Sequence, residues 1–243
     1  MNKVYACSDL HGCFDLWEKI SAYCDETDTI YFLGDALDRG PDGIKLMRHL
    51  LADKRVIYLK GNHEDMFVDY GVDLIEIPHQ SLGLWYQNGG EPSIEAFQKM
   101  DFYAKENLIR AINRLPFEAE YINKNGIKIK MNHSGWDSSN KDVLSERAIY
   151  RASLWDRKYL HRGPKEENTV IVHGHTPVPY MEYICPTEYP HPMKRYEVFK
   201  YCRGKKINID LASFESQVTA LLDLDTLEPV YFNTLVEGET YIE

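Results

Sequence analysis

The 243-residue sequence has no pair of cysteines at C-x-x-C spacing. Its five cysteines, Cys7, Cys13, Cys24, Cys185 and Cys202, are odd in number and scattered, which argues against a disulfide framework and for reduced thiols in a cytoplasm. No apolar run approaches the roughly 18 residues that a membrane helix needs. The opening residues, Met-Asn-Lys-Val-Tyr-Ala-Cys-Ser-Asp, hold no apolar stretch of signal-peptide length. A cytoplasmic protein with no membrane partner is expected. Internal repeats and low-complexity segments are missing too, which disfavours solenoids and flexible linkers. Positive charge is scarce: 28 Lys and Arg against 38 Asp and Glu give a net charge of −10. The longest basic cluster, Lys205-Lys206 near Arg203, reads as a solvated turn, so a nucleic-acid duplex, which needs clustered cations, is not an expected partner.

What remains is an ordinary globular composition, 44% hydrophobic and 27% charged, on a chain long enough for a large core. In the first third, short apolar runs alternate with helical patterns. Lys3 to Cys7, Thr29 to Leu33 and Arg55 to Leu59 read as strands, while Phe14 to Tyr23 and a segment opened by Pro41 read as helices. This βαβαβα order implies a largely parallel sheet with helices packed on it. Residues about 72–114 read as a helical insertion. Phe117 to Ile122 and Ile127 to Met131 flank Asn125-Gly126, a strong hairpin signal. Further strands are expected at Thr169 to Val172, Tyr180 to Cys185, Tyr196 to Cys202, Lys206 to Ile209, Val218 to Leu222 and Pro229 to Phe232. A second, mixed sheet packed on the first, with helices outside, buries both sets of apolar faces. No Pro/Gly/Ser linker divides the chain, so 1–243 reads as a single domain. Segment 177–204, with six aromatics from Tyr180 to Tyr201, reads as an aromatic hairpin covering the core; the alternative is a loop that selects substrates by aromatic contact.

Four apolar runs end in clusters of Asp, His, Asn and Gly: Ser8-Asp9-Leu10-His11-Gly12, Gly34-Asp35-Ala36-Leu37-Asp38-Arg39-Gly40, Gly61-Asn62-His63-Glu64 and His173-Gly174-His175-Thr176. A fifth, Asn132-His133-Ser134-Gly135, closes the strand after the hairpin turn. In an open α/β sheet, ligands bind beyond the carboxyl ends of the strands, so five such endings are expected to converge on one rim. Asp9 and His11 stand two apart, and in an extended strand end both point the same way. Carboxylate and imidazole suit divalent first-row metals. Asp35 has two oxygens with which to bridge two ions, and Asn62, His133 and His175 offer neutral ligands. His49, His79, His161 and His191 have no motif around them and read as structural; His173 reads equally as packing or as support for the site. Glu64 reads as a structural bond within its loop, and Trp85 as core.

In this order, DxHG, GDxxDRG, GNHE, a histidine closing a later strand and GHTP resemble the phosphoprotein phosphatase family within the calcineurin-like metallophosphoesterases, closest to its phage-lambda type bacterial Ser/Thr branch. Leu84-Trp85 to Asn88-Gly89-Gly90, Leu154-Trp155-Asp156-Arg157 and Ile207-Asn208-Ile209-Asp210 are similar to family counterparts, so the resemblance spans most of the chain. It implies an αββα sandwich of two mixed sheets flanked by helices. Carried over by position, it implies that Asp9, His11 and Asp35 hold one divalent ion and Asp35, Asn62, His133 and His175 a second, with Mn expected and Fe or Zn compatible. It further implies His63 as general acid, Asp38 as its orienting carboxylate, and Arg39, Arg157 and Asn62 as phosphate-binding groups, with Arg147, Arg151 and Arg162 near enough in sequence to compete with Arg157. The implied reaction is hydrolysis of a phosphomonoester by direct attack of a metal-bridging hydroxide on phosphorus. Phosphoserine or phosphothreonine proteins, or small phosphoesters, are the expected substrates. Two alternatives stand beside this: a diadenosine tetraphosphatase-like nucleotide hydrolase, whose branch usually lacks the second Asp of GDxxDRG and carries GNHD, and a non-catalytic metal-binding scaffold. The chain departs from the family pattern at Ser8 and Ser134; neither removes a ligand.

Overall fold

The computed structural model describes residues 2–76, 82–137, 145–189 and 196–234. Two five-stranded mixed sheets form its centre. The first contains β1 (Val4–Cys7), β2 (Thr29–Phe32), β3 (Val56–Tyr58), β9 (Val218–Asp223) and β10 (Pro229–Asn233), in the order β10-β9-β1-β2-β3. The second contains β4 (Glu118–Ile122), β5 (Lys128–Asn132), β6 (Thr169–His173), β7 (Phe199–Tyr201) and β8 (Lys206–Asn208), in the order β4-β5-β6-β8-β7. Each sheet has a parallel trio, β1-β2-β3 in one and β5-β6-β8 in the other. The registers Cys7↔Phe32, Phe32↔Tyr58 and His173↔Asn208 bring the carboxyl ends of neighbouring strands level.

Side-chain alternation sorts the faces. Ala6, Leu33 and Leu222 meet Ile129, Met131, Val170, Val172 and Ile207 between the sheets, while the intervening Lys128 and Lys130 turn away. The outer face of the first sheet is covered by α1 (Phe14–Tyr23) and α2 (Gly43–Ala52), whose buried Leu16, Trp17, Ile20, Leu46, Met47 and Leu50 pack on Tyr5, Ile30 and Phe32. A helical stretch continues this layer: α3 (Asn62–Glu76), α4 (Gly83–Gln87), α5 (Glu91–Gln98) and α6 (Phe102–Asn113), with Asp101 capping α6 through Ala104 N–H at 2.9 Å. Helix α7 (Glu146–Trp155), capped by Ser145, meets α3 through Tyr150 and Trp155, which both donate to the Asp65 carboxylate. No helix among the described residues is long and apolar enough to cross a membrane.

Three expectations are corrected. The Tyr180 to Cys185 strand is a 3-10 turn at Val178–Tyr180 followed by helix α8 (Met181–Ile184). Pro177 and Pro179 cannot donate to a ladder, and the buried Val178, Met181 and Cys185 recur at helical rather than alternating spacing. Among the described residues the aromatic hairpin is thereby reduced to β7 pairing antiparallel with β8, and the Tyr196 to Cys202 strand to Phe199–Tyr201, while residues 190–195 of that segment lie outside them. Lys206 is no solvated turn residue: it opens β8, is 1% exposed, and donates from Nζ to the carbonyls of Tyr159 and Leu160 at 3.4 and 3.3 Å. His79 and His191 lie outside the described residues.

Candidate active site

Six polar loops leave the carboxyl ends of β1, β2, β3, β5, β6 and β8 and meet over the seam between the sheets. Backbone bonds join them: Asp9 N–H donates to Gly34 O (3.1 Å), His11 N–H to Asp35 O (3.0 Å), and Gly174 N–H to His133 O (3.0 Å). The extended geometry expected for Asp9 and His11 is not what forms. Asp9, His11, Asp35, Asp38, Arg39 and His175 all lie in the left-handed region, with φ between 41° and 72°. Each costs on the order of 1–3 kcal/mol, a strain that folds retain where a site is assembled. Close approach explains two glycines. A Cβ at Gly61 would overlap Asp35 Oδ1, and one at Gly174 would overlap the carboxylate of Asp9.

Asp35 is the hub. Its Oδ2 faces His133 Nε2 at 3.3 Å, His11 Nε2 at 3.6 Å and His63 Nε2 at 3.8 Å, and its Oδ1 accepts from His63 N–H at 3.0 Å. Two compact groups result: His11, Asp35 and His63; and Asp35, His133 and His175. Asn62 Oδ1 joins the second, 2.9 Å from His133 Nε2 and 2.8 Å from His175 Nδ1. Asp9 stands outside both groups. Its oxygens accept from His175 N–H at 3.1 Å each and from the Ser8 hydroxyl. Ser134 is satisfied as well, donating to Ala152 O at 2.6 Å.

The donor chemistry fits divalent cations. His11 Nδ1 lies 3.0 Å from Leu37 O and His133 Nδ1 lies 2.8 Å from Leu33 O. Each carbonyl claims the Nδ1 proton and leaves Nε2 to present a lone pair toward Asp35, the usual way a ligating histidine is oriented. His175 Nε2 is buried with no partner among the described residues. Buried negative charge completes the case. Burial, reinforced by Asp210, pushes Asp9 well above the ordinary carboxylate range, and burial raises Asp210 to about 6. Against burial, the imidazoles of His133 and His63 hold Asp35 well below it. His133, which burial alone would lower, is carried to about 9 chiefly by Asp35. The field that draws a proton onto His133 equally draws a cation. His11 and His175 are held well below the ordinary histidine value by burial, which keeps both neutral.

His63, 2% exposed, lies in the first turn of α3 and places Nδ1 2.6 Å from Asp38 Oδ2. Burial opposes its charge, but Asp35 and the bond to Asp38 outweigh that and raise its pKa. Glu64 is a structural tie, as expected. Its two oxygens accept from the backbone N–H groups of Asp35, Ala36 and Gly61 and from the Tyr58 hydroxyl, all within 2.9 Å, fastening the β2 loop to the β3 loop. His173 supports from below, between Gly174 O (2.9 Å) and the Tyr201 hydroxyl (2.8 Å), with burial lowering it to about 3. Trp85 is core, as expected, yet its indole N–H also reaches Asp38 Oδ2 at 2.9 Å. Sequence reasoning missed that contact. The available signal was that a fully buried tryptophan requires an acceptor.

A cleft of about 650 Å³ opens beside these groups, and its lining includes Arg39 and Arg157. Arg147, Arg151 and Arg162 do not line it. Arg157 is anchored by Nη2 to His175 O (3.1 Å) and by Nε to Thr176 Oγ1 (3.3 Å), whereas the Arg39 guanidinium makes no protein hydrogen bond among the described residues.

Two sheets with Asp and His gathered at their carboxyl edge define a class: the chain belongs to the calcineurin-like phosphoesterase family, whose sequence profile matches residues 2–209. It is a phosphoester hydrolase, and the His/Asp groups around Asp35 are the candidates for that family's dinuclear metal site. More particularly, it is 28% identical over 180 residues to serine/threonine-protein phosphatase 1 of Salmonella typhimurium, covering 72% of this chain and 79% of that protein. It is also 32% identical over 142 residues to the symmetrical bis(5'-nucleosyl)-tetraphosphatase of Buchnera aphidicola, covering 55% of this chain but only 46% of that protein. The crystal structure of a metallophosphoesterase from Sphaerobacter thermophilus shares the fold, with a TM-score of 0.59 at 15% identity, over 97% of this chain and 89% of that one.

Proposed function

We propose that this protein is a metal-dependent phosphomonoesterase acting on phosphorylated serine and threonine side chains. Asp9, His11, Asp35, Asn62, His133 and His175 would hold two divalent cations, Mn being the proposed occupant and Fe or Zn the alternatives. When bound, such a pair supplies a water acidified toward neutrality and positive charge against the phosphoryl oxygens. The chain's own residues do the rest. Arg39 and Arg157 face the cleft, where a guanidinium's planar fork matches phosphate oxygens. Asn62 offers the phosphate a further polar contact. His63 gives its Nε2 proton to the departing oxygen, and Asp38 steadies the resulting imidazole through Nδ1.

The Asp38–His63 pair carries this reading. A serine alkoxide is a poor leaving group and needs a proton as the P–O bond breaks. A nucleoside diphosphate leaving from a dinucleoside tetraphosphate is already a stable anion and needs none. A buried, carboxylate-backed imidazolium therefore supports alkyl phosphomonoesters over phosphoanhydrides. The similarity to serine/threonine-protein phosphatase 1 supports it too. Hydrolysis of a phosphoserine peptide and of diadenosine tetraphosphate by the manganese-loaded protein tests the proposal. The peptide is expected to be the better substrate, and His63→Asn is expected to lose about 10²–10⁴-fold on it, with less loss on aryl phosphates whose leaving groups are acidic. Preference for the dinucleotide, or equal loss on both ester types, overturns it.

A further inference from the structure

The cleft extends well past the two arginines. A phosphoryl group occupies a small part of about 650 Å³, a volume within the range that holds whole small ligands. Its lining also draws on two other places. Tyr180 and Tyr183, at the 3-10 turn and on α8, are 56% and 80% exposed, and neither makes a side-chain hydrogen bond among the described residues. Glu215 comes from the four-residue helix α9 (Ser213–Ser216); it is exposed and its carboxylate has no partner among the described residues. Two exposed aromatics that line one cleft together present ring faces to whatever enters it.

The mount under Glu215 is rigid. Ala212 and Gln217, flanking α9, are both left-handed, with φ of 54° and 57°. Asp210 Oδ1 accepts from Ala212 N–H at 2.9 Å, and Asp210 O accepts from Val178 N–H at 2.8 Å. Asn208 Nδ2 donates to Thr176 O at 2.6 Å, next to the residues that anchor Arg157. The backbone that carries Glu215, the turn that leads to the tyrosines and the residues that anchor Arg157 are thus tied to the same strand end.

Accepting the phosphomonoesterase reading, on which this rests, we propose that Glu215, Tyr180 and Tyr183 form a subsite for a basic side chain of the phosphorylated segment, so that phosphoserine or phosphothreonine flanked by Lys or Arg is the favoured substrate. A carboxylate and the faces of two phenol rings both attract a cation, the first by charge and the second by the ring quadrupole. The same carboxylate opposes a polyphosphate tail, whose negative charges would run along this lining. Aromatic faces alone would suit a nucleobase equally; Glu215 decides for the cationic peptide.

The test is kcat/KM of the manganese-loaded protein on one phosphoserine peptide in which a single Lys, Ala or Glu is walked from three residues before to three after the phosphoserine. In the wild type, Lys is expected to exceed Ala by about fivefold in at least one register, the effect of a partly desolvated ion pair, and to lose that advantage as salt rises. Glu215→Gln is expected to bring the Lys-to-Ala ratio near one, and Glu215→Lys to make Glu the preferred residue. Ratios are read within each variant, so a change in overall activity does not disturb them. Peptides cleaved with no preference in any register, or a preference that Glu215→Lys leaves intact, overturn the subsite but not the phosphomonoesterase. Failure to cleave any phosphopeptide, whether diadenosine tetraphosphate is cleaved or p-nitrophenyl phosphate is left intact, overturns both.

Discussion

Trp85 Nε1 donates to Asp38 Oδ2 at 2.9 Å, the same oxygen that lies 2.6 Å from His63 Nδ1. The carboxylate that orients the proposed acid is therefore held from the helical layer by α4. Trp85 is fully buried against Phe67 and Tyr70, so its position is fixed by packing before any substrate arrives.

Trp85→Phe keeps most of that packing and deletes the N–H. Loss of one hydrogen bond to a charged group is worth about 1.5 kcal/mol, so kcat on alkyl phosphates is expected to fall about tenfold. Aryl phosphates with acidic leaving groups depend less on the donor and are expected to fall less. Equal loss across a leaving-group series would mean that Trp85 acts through packing alone.

Asp35 belongs to both His/Asp groups, which makes it the residue whose loss should uncouple the protein from metal. A ligand that binds only the folded state stabilises it by about 2.7 kcal/mol at a hundredfold excess over Kd, or several degrees of Tm for a chain of this size. Manganese is expected to raise the wild-type Tm and chelator to reverse it. Asp35→Asn is expected to show little response to either. A variant that responds as the wild type does would place the cations elsewhere.

Much of this was legible in the sequence because the chemistry sits at strand ends. An apolar run followed by Asp, His, Asn and Gly reports both the strand and its exit, and the parallel trios bring those exits level. The left-handed backbone at Asp9, His11 and Asp35 was not legible, since spacing alone suggests an extended end and says nothing of the turn that follows. The engagement of Asp9 by His175 N–H links residues 166 positions apart and depends on how the two sheets dock. Tyr180 to Cys185 was misread because a short apolar run between prolines suits a strand or a helix, and only the burial of Val178, Met181 and Cys185 decides.

Glu64 accepts four hydrogen bonds with no exposure to water. Glu64→Gln replaces one acceptor oxygen by an amino group facing donors, leaving buried N–H or O–H groups unpaired at about 1–3 kcal/mol each. A loss of about 3 kcal/mol in urea unfolding is expected. Tyr58→Phe, which removes a single donor, is expected to cost about 1 kcal/mol. If the two cost the same, the backbone ties to Asp35, Ala36 and Gly61 contribute nothing.

Lys206 is a buried cation, and burial lowers it from 10.5 to about 8. Below about pH 8 both folded and unfolded chains carry its proton, and the folded state bears the full cost of enclosing the charge. Between about 8 and 10.5 the folded chain releases the proton while the unfolded chain keeps it, so this residue's contribution to stability rises with pH, by about 3 kcal/mol over the interval. Lys206→Met removes the charge but leaves the carbonyls of Tyr159 and Leu160 without their donor, which returns part of the gain. The variant is expected to be more stable than the wild type by about 1–2 kcal/mol at pH 7. That advantage should shrink as pH climbs through 8 to 10. Measuring the difference in unfolding free energy between the two proteins at each pH cancels the titration of every other group. A difference that stays flat across this range would mean that Lys206 keeps its proton in the folded chain, and that the two carbonyls fully offset its burial.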